Sequence, residues 1–323
     1  MSEKDNSSEK KPKDSTNLTS GKKKLFTSII GVIIVLLSLI FGKELPEGLT
    51  DLFSGLSDSQ EEFLDTGGEK LVVTYLDVGQ ADCTILQCGE SSMMIDGGGR
   101  GTAKEVIEAA EELGIKQFDY IVATHSHEDH IGGLPKVIRA FDVKNVVFRE
   151  EDKDTKIYED FKSAVKESGA TVIVPKPGVS FEFGNALVEI FAPRETEYDN
   201  TNNYSSALVV TFGKEKFLFT GDAEEESEAQ MLELGTLPDV DVFQAGHHGS
   251  ETSNSEAFLK VVNPAYAIIS CGVDNKYGHP HAEVIARFED MDMQIYRTDV
   301  MGTITIKTDG KTLDISTQQK NAE

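Results

Sequence analysis

The chain has 323 residues, with 31 Lys and Arg against 56 Asp and Glu, so its formal charge is −25 at pH 7. Hydrophobic residues make up 39% of it, as in an ordinary globular protein, and its three cysteines exclude a disulfide-dense scaffold and a four-thiolate zinc site. The acidic excess argues against a basic surface that would hold nucleic acid by counterion release.

The N-terminal part of the chain divides into a polar tail and an apolar segment. Residues 1–24 hold seven lysines against four acids. They bury too little apolar surface to fold alone, so we predict a disordered tail. Residues 25–42 carry no charge, and a helix of that length is about 27 Å long, enough to cross a bilayer core. A core helix or a cleaved signal peptide is the alternative, but the segment has no polar face and no cleavage-type sequence after it.

The charges beside this predicted transmembrane anchor give its orientation. Three lysines at 22–24 precede it, whereas residues 43–69 carry one lysine against eight acids. Because lysine excess marks the cytoplasmic side, the tail is expected inside the cell and the rest outside, at the cell membrane. Residues 43–69 are interpreted as an acidic linker. Residues 70–323 then form one domain, with 23 basic against 44 acidic side chains and a charge of −21.

In this domain short apolar runs alternate with stretches of helical spacing. The predicted strands are Leu71–Leu76, Cys83–Gln87, Ser92–Ile95, Tyr120–Ala123, Asn145–Phe148, Thr171–Val174, Ala186–Phe191, Ala207–Phe212, Lys216–Phe219, Val240–Phe243, Ala265–Ile269, Gln294–Tyr296, Gly302–Lys307 and Thr312–Ile315. The predicted helices are Thr102–Leu113 and stretches near 130–140, 156–168, 223–234, 254–262 and 281–290. About a dozen strands with interspersed helices indicate an α/β or α+β fold.

The seven histidines are confined to three short segments. These contain His125, His127 and His130, then His247 and His248, and then His279 and His281. Histidines in solvated or core positions would be scattered along the chain. Their clustering beside glycine and acidic residues at strand ends favours a metal site.

The first segment reads Thr-His-Ser-His-Glu-Asp-His-Ile-Gly-Gly and follows the predicted strand Tyr120–Ala123. Imidazole nitrogen and carboxylate oxygen suit zinc, and also manganese or iron. So many polar ligands would be costly in a core if they were unpaired. His125 and His127 leave the strand end and can bind one ion, while Asp129 and His130 open the next helix and can bind a second.

These motifs resemble the metallo-β-lactamase superfamily, whose signature is His-x-His-x-Asp-His after a strand. They resemble in particular the extracellular C-terminal hydrolase domain of ComEC-type competence proteins and their stand-alone relatives. The resemblance rests on Leu76–Asp82, Ile95–Gly98, the histidine segment with Ile131–Leu134, Asn202–Asn203, Phe219–Asp222, His247–Ser250 and Asn275–Pro280. It implies an α/β fold of the αββα type, in which two sheets pack face to face between helices and a dinuclear metal site lies at one edge.

The resemblance also implies a set of ligands for two divalent ions, zinc or alternatively manganese. By the family pattern His125 and His127 hold one ion, Asp129 and His130 hold the other, and Asp222 bridges them. Without the resemblance, the Gly-Asp pair at Asp222 would more often be a turn.

The later histidines have roles that the sequence leaves open. The pair His247-His248 should supply one ligand and one histidine that meets the substrate; His247 is the preferred ligand and His248 the preferred catalytic residue, alongside Asp129. His279 is a candidate proton donor to the leaving oxygen or a contact for a substrate phosphate, with an exposed turn histidine as the alternative.

One departure from the family concerns the first metal position. A further histidine ligand is commonly expected before Asp222, yet residues 131–246 contain none. Asn203 stands near the expected point, and its side-chain oxygen would favour a harder ion such as manganese or leave the position labile. Asp82 and Asp96 are predicted to orient ligand histidines, with an ordinary turn role as the alternative.

The predicted activity is hydrolysis of phosphodiesters by metal-activated hydroxide, with a histidine protonating the leaving group. The resemblance to competence proteins favours a ComEC-like nuclease, although the acidic domain and the single apolar span weigh against one. A hydrolase of wall- or lipid-linked phosphoesters, or of another small ester, is the second hypothesis. A non-catalytic metal-binding domain at the envelope is the third. The acidity limits substrate size more than reaction type, because two ions can bind a phosphate without surface lysines.

Overall fold

The computed structural model describes residues 66–318 of the chain. The predicted tail, the predicted transmembrane anchor and the linker up to residue 65 lie outside the described residues. Within residues 66–318, no helix has the length and apolar character needed to span a bilayer.

The described residues form strands and helices in alternation. The strands are β1 (Leu71–Tyr75), β2 (Thr84–Cys88), β3 (Ser91–Ile95), β4 (Gln117–Val122), β5 (Asp142–Val147), β6 (Thr171–Ile173), β7 (Ser180–Phe183), β8 (Ala186–Ile190), β9 (Leu208–Phe212), β10 (Glu215–Phe219), β11 (Val242–Gln244), β12 (Tyr266–Ile269), β13 (Gln294–Arg297), β14 (Ile304–Thr308) and β15 (Leu313–Thr317). The helices are α1 (Ala103–Glu112), α2 (Glu128–Ile131), α3 (Leu134–Ala140), α4 (Lys156–Ser168), α5 (Glu225–Glu233), α6 (Glu256–Val262), α7 (Ala282–Asp290) and α8 (Thr298–Met301).

These strands build two sheets. The first has the order β15-β14-β1-β2-β3-β4-β5-β6, and the second has the order β13-β12-β11-β10-β9-β8-β7. Strands β3 to β6 pair in parallel in the first sheet, as do β10 to β13 in the second, and the remaining pairs are antiparallel. Parallel pairs need crossover connections, and the helices supply most of them.

The inner faces of the two sheets form the central core. The two-residue period of a strand places Leu71, Val73 and Tyr75 of β1 on one face, where they are fully buried. They belong to a cluster that also contains Phe217 and Phe219 of β10. The rings of Tyr75 and Phe219 stack across the interface with centroids 6.0 Å apart.

Helices cover the two outer faces. Side chains of α1, α3 and α4 form a second apolar cluster on the first sheet, including Val106, Val137 and Phe161. Side chains of α5, α6 and α7 form a third cluster on the second sheet, including Phe258 and Phe288. The predicted αββα sandwich is therefore confirmed.

The predicted helix near 130–140 is two helices in the structure, α2 and α3, separated by Gly132 and Gly133. A Cβ atom on Gly133 would lie 2.0 Å from the carbonyl oxygen of Gly97, so the two segments touch through bare backbone. The break in the helix brings α2 against the loop that follows β3. The sequence also did not indicate β7 or the short helix α8.

One edge of the sandwich collects the ends of several strands that carry the predicted site residues. Asp96 follows β3, His125 and His127 follow β4, and Asp222 follows β10. The pair His247-His248 follows β11, which is parallel to β10. Because the carboxyl ends of parallel strands lie at one edge of a sheet, both sheets present these residues on the same side.

Candidate metal centre and active site

The first group of ligand atoms consists of His125, His127 and Asp222. The Nε2 atom of His125 lies 3.0 Å from Nδ1 of His127 and 3.6 Å from Oδ2 of Asp222. One donor atom from each residue lies within 4.8 Å of the others. His125 and Asp222 are buried, so their lone pairs face each other away from bulk water.

The second group consists of Asp129, His130 and His248, whose donor atoms also lie within 4.8 Å of one another. The Nε2 atom of His248 lies 3.4 Å from Oδ2 of Asp129. Asp222 turns its other oxygen to this group: Oδ1 lies 3.1 Å from Nε2 of His130 and 3.9 Å from Nε2 of His248. Asp222 thus stands between the two groups with one oxygen facing each.

Three buried atoms, two of the second group and one of Asp222, test whether a cation fits there. Within residues 66–318, Nε2 of His130, Nε2 of His248 and Oδ1 of Asp222 have no hydrogen-bond partner of acceptable geometry. Unpaired buried polar atoms are rare in folded proteins, because each costs its desolvation free energy. A divalent cation would accept all three lone pairs, and two imidazoles with a carboxylate suit such an ion. The residues therefore fit the metal that the sequence predicts.

The carboxylate of Asp96 fixes the orientation of His130. Its Oδ2 accepts hydrogen bonds from Nδ1 of His130 at 2.7 Å and from Oγ1 of Thr124 at 2.7 Å, and its Oδ1 accepts one from the Thr124 amide at 2.8 Å. Asp96 therefore fixes a proton on Nδ1 of His130, and Nε2 is the ring nitrogen that faces Asp222. Complete burial raises the pKa of Asp96, although His130 opposes the shift.

Replacing Asp96 by Asn is expected to weaken metal binding by about 10–100-fold while the protein still folds. The amide keeps the shape of the carboxylate but removes the charge that holds the His130 proton on Nδ1. Competition with a chelator, followed by zinc content, measures the affinity. The matched control is Asp309→Asn, which lies in an exposed turn remote from the histidines. Equal zinc affinity in both variants and the wild type would show that Asp96 does not orient a ligand.

His248, and not His247, lies with Asp129 and His130. Its Nδ1 lies 2.9 Å from the backbone oxygen of Ser270 and 3.2 Å from Oδ1 of Asp82. The Ser270 oxygen accepts the Nδ1 proton, so that Nε2 faces the second group. The sequence analysis preferred His247 as the ligand, but in the structure His248 lies in the ligand position.

His247 lies on the other side of Asp222. Its Nε2 is 3.6 Å from Oδ2 of Asp222, and its Nδ1 is 3.2 Å from Oγ1 of Thr252 and 3.5 Å from Oε1 of Glu224. Both His247 and His248 have left-handed backbone angles, with φ of 52° and 55°. Two such residues in a row point their side chains in different directions, so they reach opposite oxygens of one carboxylate.

Asn203 is not among the residues that the structure brings together at Asp222. Its Oδ1 accepts a hydrogen bond from the amide of Glu224 at 3.0 Å, and its Nδ2 donates to Oε2 of Glu226 at 2.9 Å. Asn202 likewise donates to Oε1 of Glu224. These two side-chain amides therefore stabilise the start of α5. The Asn203 oxygen that was expected to bind a metal already accepts the hydrogen bond from Glu224.

Three supporting residues were not identified from the sequence. Ser205 accepts a hydrogen bond from the Asp222 amide at 3.0 Å, and its Oγ lies 3.3 Å from Nδ1 of His125. Asn254 accepts from the Gly246 amide and donates to the Gly246 oxygen, which ties down the turn before His247. Gln80 contacts His279. Ser205 and Gln80 contact residues 80 and 199 positions away in the chain, so no local pattern marks them.

A cavity of about 320 Å³ opens at the two groups. It is lined by Gln80, His127, Glu128, Asp129, Asp222, His247, His248, Tyr277 and His279. Burial, His247 and His248 lower the pKa of His279 to about 4, so this imidazole is neutral at pH 7. The cavity is therefore lined by ionisable ligand residues together with a neutral imidazole.

The charges of the ligands are complementary. Burial opposes ionisation of Asp222 and Asp129, but the nearby His130 and His248 outweigh it and hold both pKa values well below the usual range. Burial also opposes protonation of His130 and His248, but Asp222 with Asp96 or Asp82 raises both pKa values. Without a cation, protons hold this cluster of carboxylates together. A divalent ion would displace those protons from Nε2 of the two histidines.

Comparison with known proteins identifies the family. The family model described as "Metallo-beta-lactamase superfamily" matches residues 76–273. The chain belongs to this superfamily. Its members are generally metal-dependent hydrolases and commonly bind two metal ions, as the two ligand groups around Asp222 lead one to expect.

Curated relatives of this metallo-β-lactamase chain include Competence protein ComA of Neisseria gonorrhoeae, which is 28% identical over 234 residues, 72% of this chain and 31% of that protein. ComE operon protein 3 of Bacillus subtilis is 32% identical over 205 residues, 62% of this chain and 26% of that protein. Recombination protein 2 of Haemophilus influenzae is 28% identical over 239 residues, 72% of this chain and 28% of that protein. The chain thus spans less than a third of the length of each. The predicted relation to ComEC-type proteins is confirmed.

Solved structures support the fold alone. The metallo-β-lactamase fold protein YhfI of Bacillus subtilis is 13% identical, with a TM-score of 0.53 over 74% of this chain and all of that one. CmlA, a diiron beta-hydroxylase from Streptomyces venezuelae, is 14% identical, with a TM-score of 0.51 over 74% of this chain and 54% of that one.

Proposed function

We propose that this superfamily member is a dinuclear-metal phosphodiesterase, held at the cell membrane by residues 25–42 with its catalytic domain outside. One observation carries the catalytic part: Asp222 presents one oxygen to each of two ligand groups at the mouth of an open cavity. Membrane attachment and orientation rest on the uncharged segment and its flanking charges.

In this proposal His125, His127 and Asp222 hold one divalent ion, and Asp129, His130, His248 and Asp222 hold the other. The ions are zinc, with manganese as the alternative. When bound, such a pair supplies Lewis-acid activation of water and neutralises the charge of phosphate oxygens.

The other residues of the site orient the ligands and receive the substrate. Asp96 and the backbone oxygen of Ser270 keep a proton on Nδ1 of His130 and of His248, so that Nε2 of each ring is the nitrogen available to an ion. His247 and His279 line the cavity, where a bound phosphodiester would meet their ring nitrogens. Free cysteines take no part in this chemistry, because all three are buried and burial raises the pKa of each thiol.

The class of phosphodiester follows from the relatives and the charge. The names of two relatives connect those proteins with recombination and with competence, which favours nucleic acid as substrate. The charge of −21 on residues 70–323 opposes a long polyanion. We therefore favour short nucleic acids or single-stranded DNA ends as substrates over long duplexes. A wall- or lipid-linked phosphodiester is the second candidate.

A substrate panel tests the activity. We expect the full chain loaded with zinc or manganese to hydrolyse bis-p-nitrophenyl phosphate and to shorten single-stranded DNA faster than duplex DNA. A phosphorylcholine ester serves as the third substrate, and Asp129→Ala, which removes a ligand oxygen, is the inactive control. Hydrolysis of the small esters with DNA untouched would exclude a nuclease. No turnover by protein that holds two ions would point to a non-catalytic domain.

Protease shaving of intact cells tests the topology. We expect added protease to degrade the catalytic domain before lysis, because the positive-inside rule places residues after Lys43 outside. A cytoplasmic protein detected in the same samples controls for leakage. Survival of the domain in intact cells and its degradation after lysis would invert the proposed orientation.

A further inference from the structure

The contact between Gln80 and His279 joins two loops at the rim of the cavity. Gln80 lies in the turn after β1, and His279 lies in the loop between β12 and α7. The Nε2 atom of Gln80 is 3.3 Å from Nδ1 of His279. The two residues are 199 positions apart in the chain, and both line the cavity.

The orientation of the Gln80 amide is fixed by its other contact. The backbone amide of Gly272, which can only donate, lies 3.0 Å from the Gln80 side-chain oxygen. That oxygen must therefore face Gly272, and the NH₂ group must face His279. A donor at this position requires Nδ1 of His279 to accept, so the proton of a neutral imidazole lies on Nε2.

The loop geometry leaves little freedom at this contact. A Cβ atom on Gly272 would lie 2.7 Å from the backbone nitrogen of Gln80, so the close approach requires glycine. Asn275 donates to the backbone oxygens of Gly272 and His279, and it accepts from the His279 amide. Gln80 and Asn275, which both contact His279, therefore also both contact Gly272 of the same loop.

The remaining ring nitrogen is the one available to a substrate. Within the described residues, Nε2 of His279 has no hydrogen-bond partner, although the side chain lines the cavity beside His247 and His248. A neutral imidazole that carries its proton on Nε2 is a hydrogen-bond donor but a weak acid. It suits a fixed contact to charge on a phosphate more than proton transfer to a leaving group.

We propose that Gln80 is a positioning residue that holds His279 in the Nε2–H tautomer, so that His279 donates a hydrogen bond to a non-bridging phosphate oxygen. The substrate part of this inference rests on the proposed phosphodiesterase function, whereas the tautomer does not. Of the two roles that the sequence left open for His279, the geometry supports the phosphate contact.

Nitrogen-15 NMR of the zinc-loaded full chain, labelled at histidine, tests the tautomer without any turnover. We expect a bare Nδ1 on His279 at pH 7.5 in the wild type. In Gln80→Glu the side chain offers only acceptors, so Nδ1 should become protonated. The matched control is Gln294→Glu, the same change at an exposed position of β13, which should leave the His279 signals unchanged. A protonated Nδ1 in the wild type would overturn the proposal.

Leaving-group dependence tests the role in the reaction. The p-nitrophenyl ester of thymidine 5′-phosphate releases a phenolate that needs no proton, whereas dithymidine monophosphate releases an alkoxide that does. We expect His279→Ala to lower kcat/KM for both by a similar factor of about 10²-fold. His279→Gln, which keeps an N–H near the Nε2 position, should recover about tenfold.

The outcomes separate this inference from the proposed function. A loss in His279→Ala that falls mainly on dithymidine monophosphate, without recovery by His279→Gln, would make His279 a general acid and overturn the phosphate contact. If the wild type cleaves neither substrate, the phosphodiesterase proposal and the substrate contact both fail. The NMR result then still decides whether Gln80 sets the tautomer.

Discussion

Replacing Asp222 by Asn is expected to lower phosphodiester turnover by about 10³-fold or more and to remove one bound metal ion. Asp222 is buried, and it offers one oxygen to each of the two ligand groups. The variant keeps one oxygen and the volume of the side chain, but it replaces the other oxygen by an NH₂ group that cannot bind a cation. Metal content by mass spectrometry and turnover of bis-p-nitrophenyl phosphate measure the two effects.

The control for this variant is Asp290→Asn, the same change at the exposed end of α7. It should retain two ions and full turnover. Because the Asp222 carboxylate compensates the buried charge of His130 and His248 when no metal is bound, the metal-free variant is expected to be less stable than the wild type. A circular dichroism spectrum therefore confirms that the variant is folded before its metal content is measured. Two tightly bound ions and unchanged turnover in Asp222→Asn would show that this carboxylate does not link the two positions.

Replacing Gly133 by Ala is expected to lower the free energy of unfolding by about 3 kcal/mol or more. The added Cβ would lie 2.0 Å from the carbonyl oxygen of Gly97, a contact that only movement of one backbone segment can relieve. Gly133 joins α2, which carries Asp129 and His130, to α3. The same movement should therefore weaken metal binding as well as stability.

Denaturant unfolding of the metal-free full chain measures this effect, and zinc titration measures the loss of affinity. The matched control is Gly101→Ala, because nothing lies within 4 Å of the Cβ position at Gly101. That variant should differ from the wild type by no more than about 0.5 kcal/mol. Equal stability of the Gly133→Ala and Gly101→Ala proteins would contradict the packing described for the glycine pair.

The fold was largely predictable because its strands have regular patterns. Strands such as β1 and β9 are apolar runs bounded by turn residues, and their predicted ends differ from the structure by one residue. The strand β7 was missed because it has only four residues and lies at the edge of its sheet. The break between α2 and α3 depends on a tertiary contact with Gly97, and helical periodicity does not report it.

The residues of the site were predictable to a smaller degree. Local spacing placed His125, His127, Asp129 and His130, because four ligand types lie within six residues. The choice between His247 and His248 depends on Ser270 and on backbone angles that adjacent residues share. No sequence pattern distinguishes two neighbouring histidines of the same left-handed turn.

Contacts between distant segments account for the rest. Asn203 resembled a ligand because it stands at the expected place in the sequence, yet the amide of Glu224 occupies its oxygen. Gln80 belongs to a motif that the sequence analysis recognised, but no role was assigned to it. Its partner His279 is 199 residues away in the chain, so the sequence does not show the contact. Roles that depend on contacts between distant segments can be assigned only from the folded structure.

Anomalous diffraction from crystals of the zinc-loaded protein shows directly how many ions the site binds and which residues hold them. We expect two zinc peaks per chain. One should be bound by His125, His127 and Asp222, and the other by Asp129, His130, His248 and Asp222. A single peak, or peaks that do not contact Asp222, would contradict the dinuclear centre on which the proposed function depends.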